Sequence, residues 1–521
     1  MKTMKAKASF FRNSSRALLL AAVLFPVAAT RLAAAGSESN LDKTFPAAAG
    51  GKLVVQADQG SVEVKPVESD KVQIHVLREV QGGNKAQADE LFANHEVTFQ
   101  QDGGTVSVVA KRKRNLSLSS SWWRGQPQLE VRYEISIPKK FDVDLKTSGG
   151  DVRVGELDGT VKARTSSGAI GLKGTTGKVD AGNSGGDITI AEMGGDLVAQ
   201  TSSGAINVQK VSGDAQVSNS GGDIRIGEAG QALVVRTSSG AIRLKSVKGD
   251  LQASNSGGDI TADLVGGDVT ASTSSGTITL GQVNGKSTKA RNSGGNISIE
   301  TAAGDVVART SSGAIEINAV KGATDAGNSG GDITIREAGD KVMASTSSGA
   351  IRIRAAKGGV EAKNSGGDIN VGEAGGPVIA RTSSGSINIK LAVGKVEAGN
   401  SGGNIEVEEA RGAVQANTSS GAINVSLVTQ PGEDCRLEVS GGEVNVALPK
   451  TVAMDVDARS SGGNVETELP VTTTVQGGRK DGVLQGRING GGPRLYLRSS
   501  SGDIRIKASK AAAALQAERE N

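Results

Sequence analysis

The side chains in this sequence that could carry chemistry come in ranks. Asp187, Asp223, Asp259, Asp332 and Asp368 each follow a Gly-Gly pair, and serines crowd the corners between them, as in Ser166-Ser167-Gly168 and Ser202-Ser203-Gly204. Such ranks raise carboxylate-assisted cleavage of a polysaccharide, calcium binding, and nucleophilic attack by serine. Each fails on spacing or context. A catalytic carboxylate pair should break a repeat, whereas these carboxylates recur as its rungs. Calcium takes about six to eight oxygens, and one Asp per corner supplies too few. The spacing also departs from the nonapeptide of calcium-binding β-rolls. A serine nucleophile elbow needs a strand–turn–helix setting, and the only histidines, His75 and His95, lie well before the serine corners. Ranked threonines raise ice binding, but here Thr alternates with Asn at an inward parity. The sequence therefore predicts no catalytic residue, no cofactor-binding residue and no metal ligand. The enzymatic alternative it leaves is a remote one, a polysaccharide-acting β-helix.

One feature is singular. Ser119-Ser120-Ser121-Trp122-Trp123-Arg124-Gly125 holds both tryptophans of the chain. Adjacent Trp122 and Trp123 in a Ser/Gly loop offer an exposed contact for a glycan, a lipid headgroup or a protein. The structural alternative is that one ring packs over a cap and the other covers a sheet edge.

The ranks follow from a strict repeat. Thr-Ser-Ser-Gly begins at Thr165, Thr201, Thr237, Thr273, Thr310, Thr346, Thr382 and Thr418. Asn-Ser-Gly-Gly begins between them, at Asn183, Asn219, Asn255, Asn292, Asn328, Asn364 and Asn400. The spacing is 18 residues, with one residue of slippage between Thr273 and Asn292. A short fixed period is the mark of a solenoid. Five positions after each Thr or Asn stands an isoleucine: Ile170, Ile188, Ile206, Ile224, Ile242, Ile260, Ile278, Ile297, Ile315, Ile333, Ile351, Ile369, Ile387, Ile405 and Ile423. Two positions on is a second apolar column, including Leu172, Ile190, Val208 and Ile226. Spacing of two and β-branched side chains spell strand. Glycines such as Gly195 and Gly213 mark a second turn, followed by a Val/Leu column and an alanine column (Ala163, Ala181, Ala199).

The prediction is an all-β, single-stranded β-solenoid (β-helix) with about 18 residues per coil. Its core is flattened and two-sided, with an inward pair on each side, large Ile facing small Ala. Aromatic residues make up only 2% of the chain, which suits so thin a core. Coils cannot bury their own faces and are stabilised by stacking. Acidic corners alternate with neutral ones, so like charges recur on every second rung, about 10 Å apart, which weakens their repulsion. The Thr and Asn at the corners are expected to form a hydrogen-bonded polar ladder, by analogy with stacked Asn ladders. Roughly twenty coils at ~4.8 Å give a rod of about 95 Å.

The N-terminus reads as a secretory signal over residues 1–35. Lys2, Lys5, Lys7, Arg12 and Arg16 form a basic start, Ala17 to Ala29 an apolar run, and Ala33-Ala34-Ala35 a small-residue cleavage site. That segment carries six basic residues, the five above and Arg31, and no acidic ones, so the formal charge of +4 becomes 4 − 6 = −2 after cleavage. The mature chain is expected to be exported, to the periplasm, cell surface or extracellular space, with no integral membrane span. Its charges are interspersed, which gives no argument for nucleic acid as a partner. The single Cys435 allows no intramolecular disulfide and reads as a buried thiol.

Residues 36–146 lie outside the strict period but alternate as strands, for example at Lys52-Leu53-Val54-Val55 and Val131 to Ile137, with a short helix from Asn84 to His95. They form a β-rich N-terminal cap section. Residues 147–430 carry the regular coils. Residues 431–506, with Pro431, Pro449 and a glycine-rich loop from Asp481 to Pro493, form irregular coils and a C-terminal cap, followed by a tail at 507–521.

Several stretches together resemble a bacterial adhesin-like family catalogued as domain of unknown function 4097. They are the exported start, Tyr133-Glu134-Ile135-Ser136-Ile137-Pro138, the entry Asp142-Val143-Asp144-Leu145-Lys146-Thr147-Ser148-Gly149-Gly150-Asp151, and the ending from Gly490-Gly491-Gly492-Pro493 through Arg494-Leu495-Tyr496-Leu497-Arg498 to Ile504. The resemblance spans about residues 40–507 and implies a β-solenoid at or outside a bacterial envelope. The middle of this chain is expanded by a two-coil, 36-residue unit. On this reading the protein is an adhesin-like rod that meets an unknown surface ligand (glycan or protein) or an envelope component. A periplasmic scaffold or envelope-stress factor is the alternative.

Overall fold

The computed structural model describes residues 37–113, 127–473 and 482–509. Trp122, Trp123, the segment over residues 1–35 expected to be a signal, and most of the tail lie outside these residues. The described chain is a β-solenoid of about 17 turns with ~18 residues per coil. The parallel ladder runs on through the end coils, from Gln128–Pro138 to Val465–Thr467, so at ~4.8 Å per rung the stack reaches roughly the 95 Å expected from the sequence.

Each regular coil contributes one strand to each of two parallel sheets. In the first, Ile170 pairs with Val152 on one side and Ile188 on the other, and the ladder repeats in this register along the rod. The fifteen isoleucines named above are 0–1% exposed. In the second sheet, Val161, Ala163 and Thr165 point inward, and Val161 and Ala163 pair in register with Val179 and Ala181. The inward set is larger than a pair on each side. On the isoleucine strand a third column is buried after a two-residue step, at Met193, Val211, Ala229, Val247 and Val265. On the other strand the third inward residue is the Thr or Asn of the corner, 5–9% exposed.

Those corner side chains do not bond to one another as a ladder. Each hooks the backbone of the coil before it. Asn255 donates through Nδ2 to the Gly240 carbonyl at 2.7 Å, and Thr201 through Oγ1 to the Gly186 carbonyl at 3.1 Å. The cause is the turn itself, whose buried carbonyl needs a donor that the sheet ladder does not supply. The corner carboxylates have a parallel use. Asp223 Oδ1 accepts from the Ala241 N–H of the next coil at 2.9 Å, and Asp187 from the Ala205 N–H at 2.8 Å. The Ala241 N–H, assisted by Arg225 and Arg243, holds the Asp223 carboxyl below its ordinary range. Asn296 performs the same hook on Ala314. Glycine stands between these hooks for lack of space: a Cβ on Gly240 would sit 2.0 Å from the Gly222 oxygen.

The two ends do not follow chain order. Near the N-terminus the strands are β1 (Ser37–Pro46), β2 (Gly51–Ala57), β3 (Ser61–Val67), β4 (Lys71–Gln81), β5 (His95–Asp102), β6 (Thr105–Arg112), β7 (Gln128–Pro138), β8 (Phe141–Lys146) and β9 (Val152–Leu157). The β2–β3 coil lies between the later coils β6–β7 and β8–β9. The outer strands β1, β4 and β5 pair antiparallel. Helix α1 (Lys85–Asn94) packs beside them, started by a capping box of Asn84 and Gln87. At the other end, the last coil in sequence (Arg494–Ser499 and Ile504–Ala508) is inserted between the coil of Cys435–Gly441 and Val444–Leu448 and that of Met454–Ser460 and Val465–Thr467. Within the glycine-rich loop expected at 481–493, Val483–Ile488 is a strand and pairs antiparallel with Met454–Ser460. Only Asn489, Gly490 and Gly491, at φ 46, 89 and 89, form the turn. Antiparallel and very short strands at both ends blunt the edges that a bare coil would offer to another chain.

Candidate functional site

Three places gather chemistry-bearing side chains. The first is inside the N-terminal cap. His95, at the start of β5, is buried with Nε2 3.4 Å from the Tyr133 hydroxyl and 3.7 Å from Asp58 Oδ1. Arg78 lies alongside, donating to the Phe92 and His95 carbonyls and to Ser39 Oγ. Burial lowers the His95 pKa; Arg78 and Arg112 push the same way and Asp58 opposes them. Burial also raises the Tyr133 pKa. His95 Nδ1 and Asp58 Oδ1 have no hydrogen-bond partner among the described residues. The cluster resembles a proton relay in composition, but Tyr133 and the His95 side chain are both 0% exposed. His75 is elsewhere, on β4, paired with Asp42 at 2.7 Å at the surface.

The second place is a shallow hollow of about 700 Å³ along the corners from Lys139 to Ser212, with Glu156, Lys173, Glu192 and Lys210 in its lining. These are ordinary outward residues of mixed charge, and no aromatic ring is among them.

The third is on the outer face of the second sheet near the C-terminal end. Strand alternation puts Glu397, Gln415 and Arg436 in one outward column and Arg381, Gly399, Asn417 and Glu438 in the next. They line a polar hollow of about 400 Å³. The inserted last coil lies against Arg436 and sets Tyr496 beside it in register. Leu495 and Leu497 are buried, so Tyr496 between them points outward. The guanidinium carbons of Arg498 and Arg436 lie 3.6 and 4.6 Å from its ring centroid. Arg498 is anchored by Asp457, donating to its carboxylate at 3.0 Å and to its carbonyl at 2.8 Å. Asp457 also accepts from Gln485 and Arg459. Arg436 is held by Glu438 at 2.8 Å. After Phe141, Tyr496 is the only aromatic residue in the chain.

Sequence reading singled out Trp122 and Trp123, which lie outside the described residues, and did not single out this site. Tyr496 was visible within a family-like ending. Its neighbours Arg436 and Asp457 come from rungs 60 and 39 positions away in sequence, joined only by the out-of-order insertion. Among the described residues no group of three or more His, Cys, Asp or Glu side chains is placed to hold a metal ion. No helix there is long and apolar enough to cross a membrane.

Fold and corners together define a two-sided parallel β-solenoid with hooked turns and folded-in ends. The Toastrack DUF4097 family model matches residues 51–264, 244–380 and 378–507, and the chain belongs to that family. No curated protein matches it in sequence. Similar solved structures include a candidate cell adhesion protein from Clostridium sporogenes ATCC 15579, at 7% identity over 91% of this chain and 100% of that one, TM-score 0.16. A candidate adhesin from Bacteroides fragilis NCTC 9343 matches at 15% identity over 55% and 98%, TM-score 0.23. A candidate lipid-binding protein from Parabacteroides distasonis ATCC 8503 matches at 12% over 63% and 98%, TM-score 0.18.

Proposed function

We propose that this chain is an exported, non-enzymatic, adhesin-like rod that makes surface or envelope contacts. The observation that carries this reading is the division of labour in each coil. Inward positions are consumed by one continuous core, while outward positions on two long faces are polar and open. Such a surface suits several weak contacts made together, whose avidity exceeds each single affinity. The basic and apolar N-terminal segment supports export of the mature chain. The ligand is a glycan or protein of another surface, or an envelope component.

A periplasmic scaffold is the second reading. It is favoured by the self-satisfied character of parts of the faces, where Arg164 pairs with Asp180 and Arg352 with Asp332 in neighbouring coils. Binding of the purified full-length protein to immobilised glycans and matrix proteins separates the two. Saturable binding is expected of the adhesin-like rod. Retention of none of them, at protein concentrations up to about a millimolar, would contradict it and leave the scaffold.

A further inference from the structure

We infer that the outer face of the second sheet, from Arg236 to Arg291, is a binding track for an acidic polysaccharide lying along the rod. The inference deepens the adhesin-like reading and rests on it.

The charges of this chain are interspersed in sequence but not on this face. Between Asp180 and Asp325 every outward position of the second sheet's strands is uncharged or basic. Strand alternation makes two columns there. One carries Arg236, Ser254, Ser272 and Arg291 in register, and the other Gln252, Thr270 and Lys289. Arg236, Lys289 and Arg291 are exposed, and none is in an ion pair among the described residues. Every other outward cation of this sheet between residues 162 and 436 has an acid within 3.9 Å, as Arg164 has Asp180, Arg309 has Asp325 and Lys363 has Glu361. Arg291 stands in register beside Arg309 of the next coil, and like charges placed opposite one another destabilise a sheet. Packing gives no reason for that placement.

The coil that carries Lys289 and Arg291 is also the one where the period slips. The additional residue falls at Lys286-Ser287, in the turn, where Asp268 Oδ1 accepts from both N–H groups, at 2.7 and 3.0 Å. The strand that follows therefore keeps its outward register. In the same coil Asn296 takes the place of the corner aspartate and makes its hook without its charge. The aspartates of the bordering turns, such as Asp250 and Asp305, accept from backbone N–H groups of the next coil. A row of free cations with no acid among them attracts a polyanion. The uncharged rungs between them, Ser254, Ser272, Gln252 and Thr270, offer hydroxyl and amide groups to sugar hydroxyls. Rungs ~4.8 Å apart match the length of one sugar in an extended chain, so consecutive sugars meet consecutive rungs. Arg236 and Arg291, three rungs and about 14 Å apart, then reach acidic groups of the same chain. No aromatic ring lies on this face for nucleic acid bases to stack on, and a flat sheet enters no duplex groove. The apolar residues on it, Val198, Val234 and Val307, are half-buried and too short to enter a membrane.

The test measures binding of the full-length protein to polygalacturonate and to dextran sulfate, with unsubstituted dextran, duplex DNA and phosphatidylglycerol vesicles alongside. Saturable binding of at least one acidic polysaccharide is expected, with none of dextran. The affinity should fall about tenfold as salt rises from ~50 to ~150 mM, because two or three charges are neutralised. Arg236→Gln, Lys289→Gln and Arg291→Gln together should weaken binding about tenfold or more, with thermal stability unchanged or raised. Lys245→Gln, Arg336→Gln and Lys390→Gln together remove the same charge from the outer face of the other sheet, and that variant should bind as the unaltered protein does. Ser272→Glu supplies the missing acid beside Arg291 and should also weaken binding. Should the first triple variant fail to fold, Ser272→Glu decides the matter alone. Failure of both acidic polysaccharides at ~50 mM salt, an equal loss in the two triple variants, or tighter binding of DNA or of the vesicles would overturn the inference. If the protein in that event still binds immobilised neutral glycans or matrix proteins, the adhesin-like reading stands without this track; if it binds none of them, both fall.

Discussion

Replacing Asn255 with alanine removes a single hook and measures what the hooks contribute. The side chain is 6% exposed. It donates to the Gly240 carbonyl at 2.7 Å and accepts from the Gly257 and Gly258 N–H groups at 3.2 and 3.1 Å. Each such bond is worth a net ~1 kcal/mol, and the partners left unsatisfied add to the loss. The expected cost is about 2–4 kcal/mol. A solenoid communicates chiefly between neighbours, so this loss falls on the coils around Asn255 and not on the whole chain. Native-state hydrogen exchange resolved along the chain is the assay. Amides in residues 242–273 should exchange about 30- to 1000-fold faster, since ~1.4 kcal/mol is a factor of ten. Amides beyond residue 400 should be unchanged. Asn255→Thr should recover part of the protection, because Thr237 and Thr273 on the flanking coils bond the preceding glycine carbonyl in the same way. Unchanged exchange around Asn255, or an equal loss along the entire rod, would refute the reasoning.

Gly240→Ala should destabilise the same region more than an ordinary strand Gly→Ala change, since its methyl meets the Gly222 carbonyl at 2.0 Å; limited proteolysis with fragment mapping reads this as a new cut near residue 240. Ile278→Asp buries a carboxylate between Ile260 and Ile297, and should open the rod locally at a cost of several kcal/mol; unchanged protease resistance would remove the inward isoleucine column. The N-terminal cap should weaken in mild acid. His95 has a lowered pKa in the folded state, so the unfolded state takes up the proton first. The stability tied to its neutrality is present above about pH 6.5 and declines as pH falls below it. Amide exchange in β5 and β6 should follow that profile, and His95→Gln should flatten it. Cys435 is 1% exposed, and burial raises its thiol pKa, so it should resist alkylation until the C-terminal coils are unfolded.

Much of the regular rod was legible because its determinants are local. The isoleucine column, the strand period and the inward parity of Thr and Asn all repeat within one coil, and the helix after Asn84 announces itself through its cap. The third inward column was not legible. The step after Ile190 places two outward residues, Ala191 and Glu192, before Met193, and breaks the simple alternation. Nor was the order of the ends, since Val444-Asn445-Val446 and Leu495-Tyr496-Leu497 alternate alike and their pairing is set by connections far apart in sequence. The polar hollow was hidden for the same reason. Gly399 differs from Gly182 and Gly327 in sequence only by Glu397 in place of Asp180 or Asp325, and what that longer acid does to Arg381 shows only in the geometry.

Export to a surface is the central claim, and protease shaving of intact cells tests it most directly. An epitope tag inserted between Gly432 and Glu433 sits in an exposed turn where a Cβ on Gly432 would meet no atom within 4 Å. Loss of the tag from cells whose envelope is intact is the predicted result. Protection of the tag until the envelope is opened would contradict the adhesin-like rod and assign the protein to the interior of the envelope.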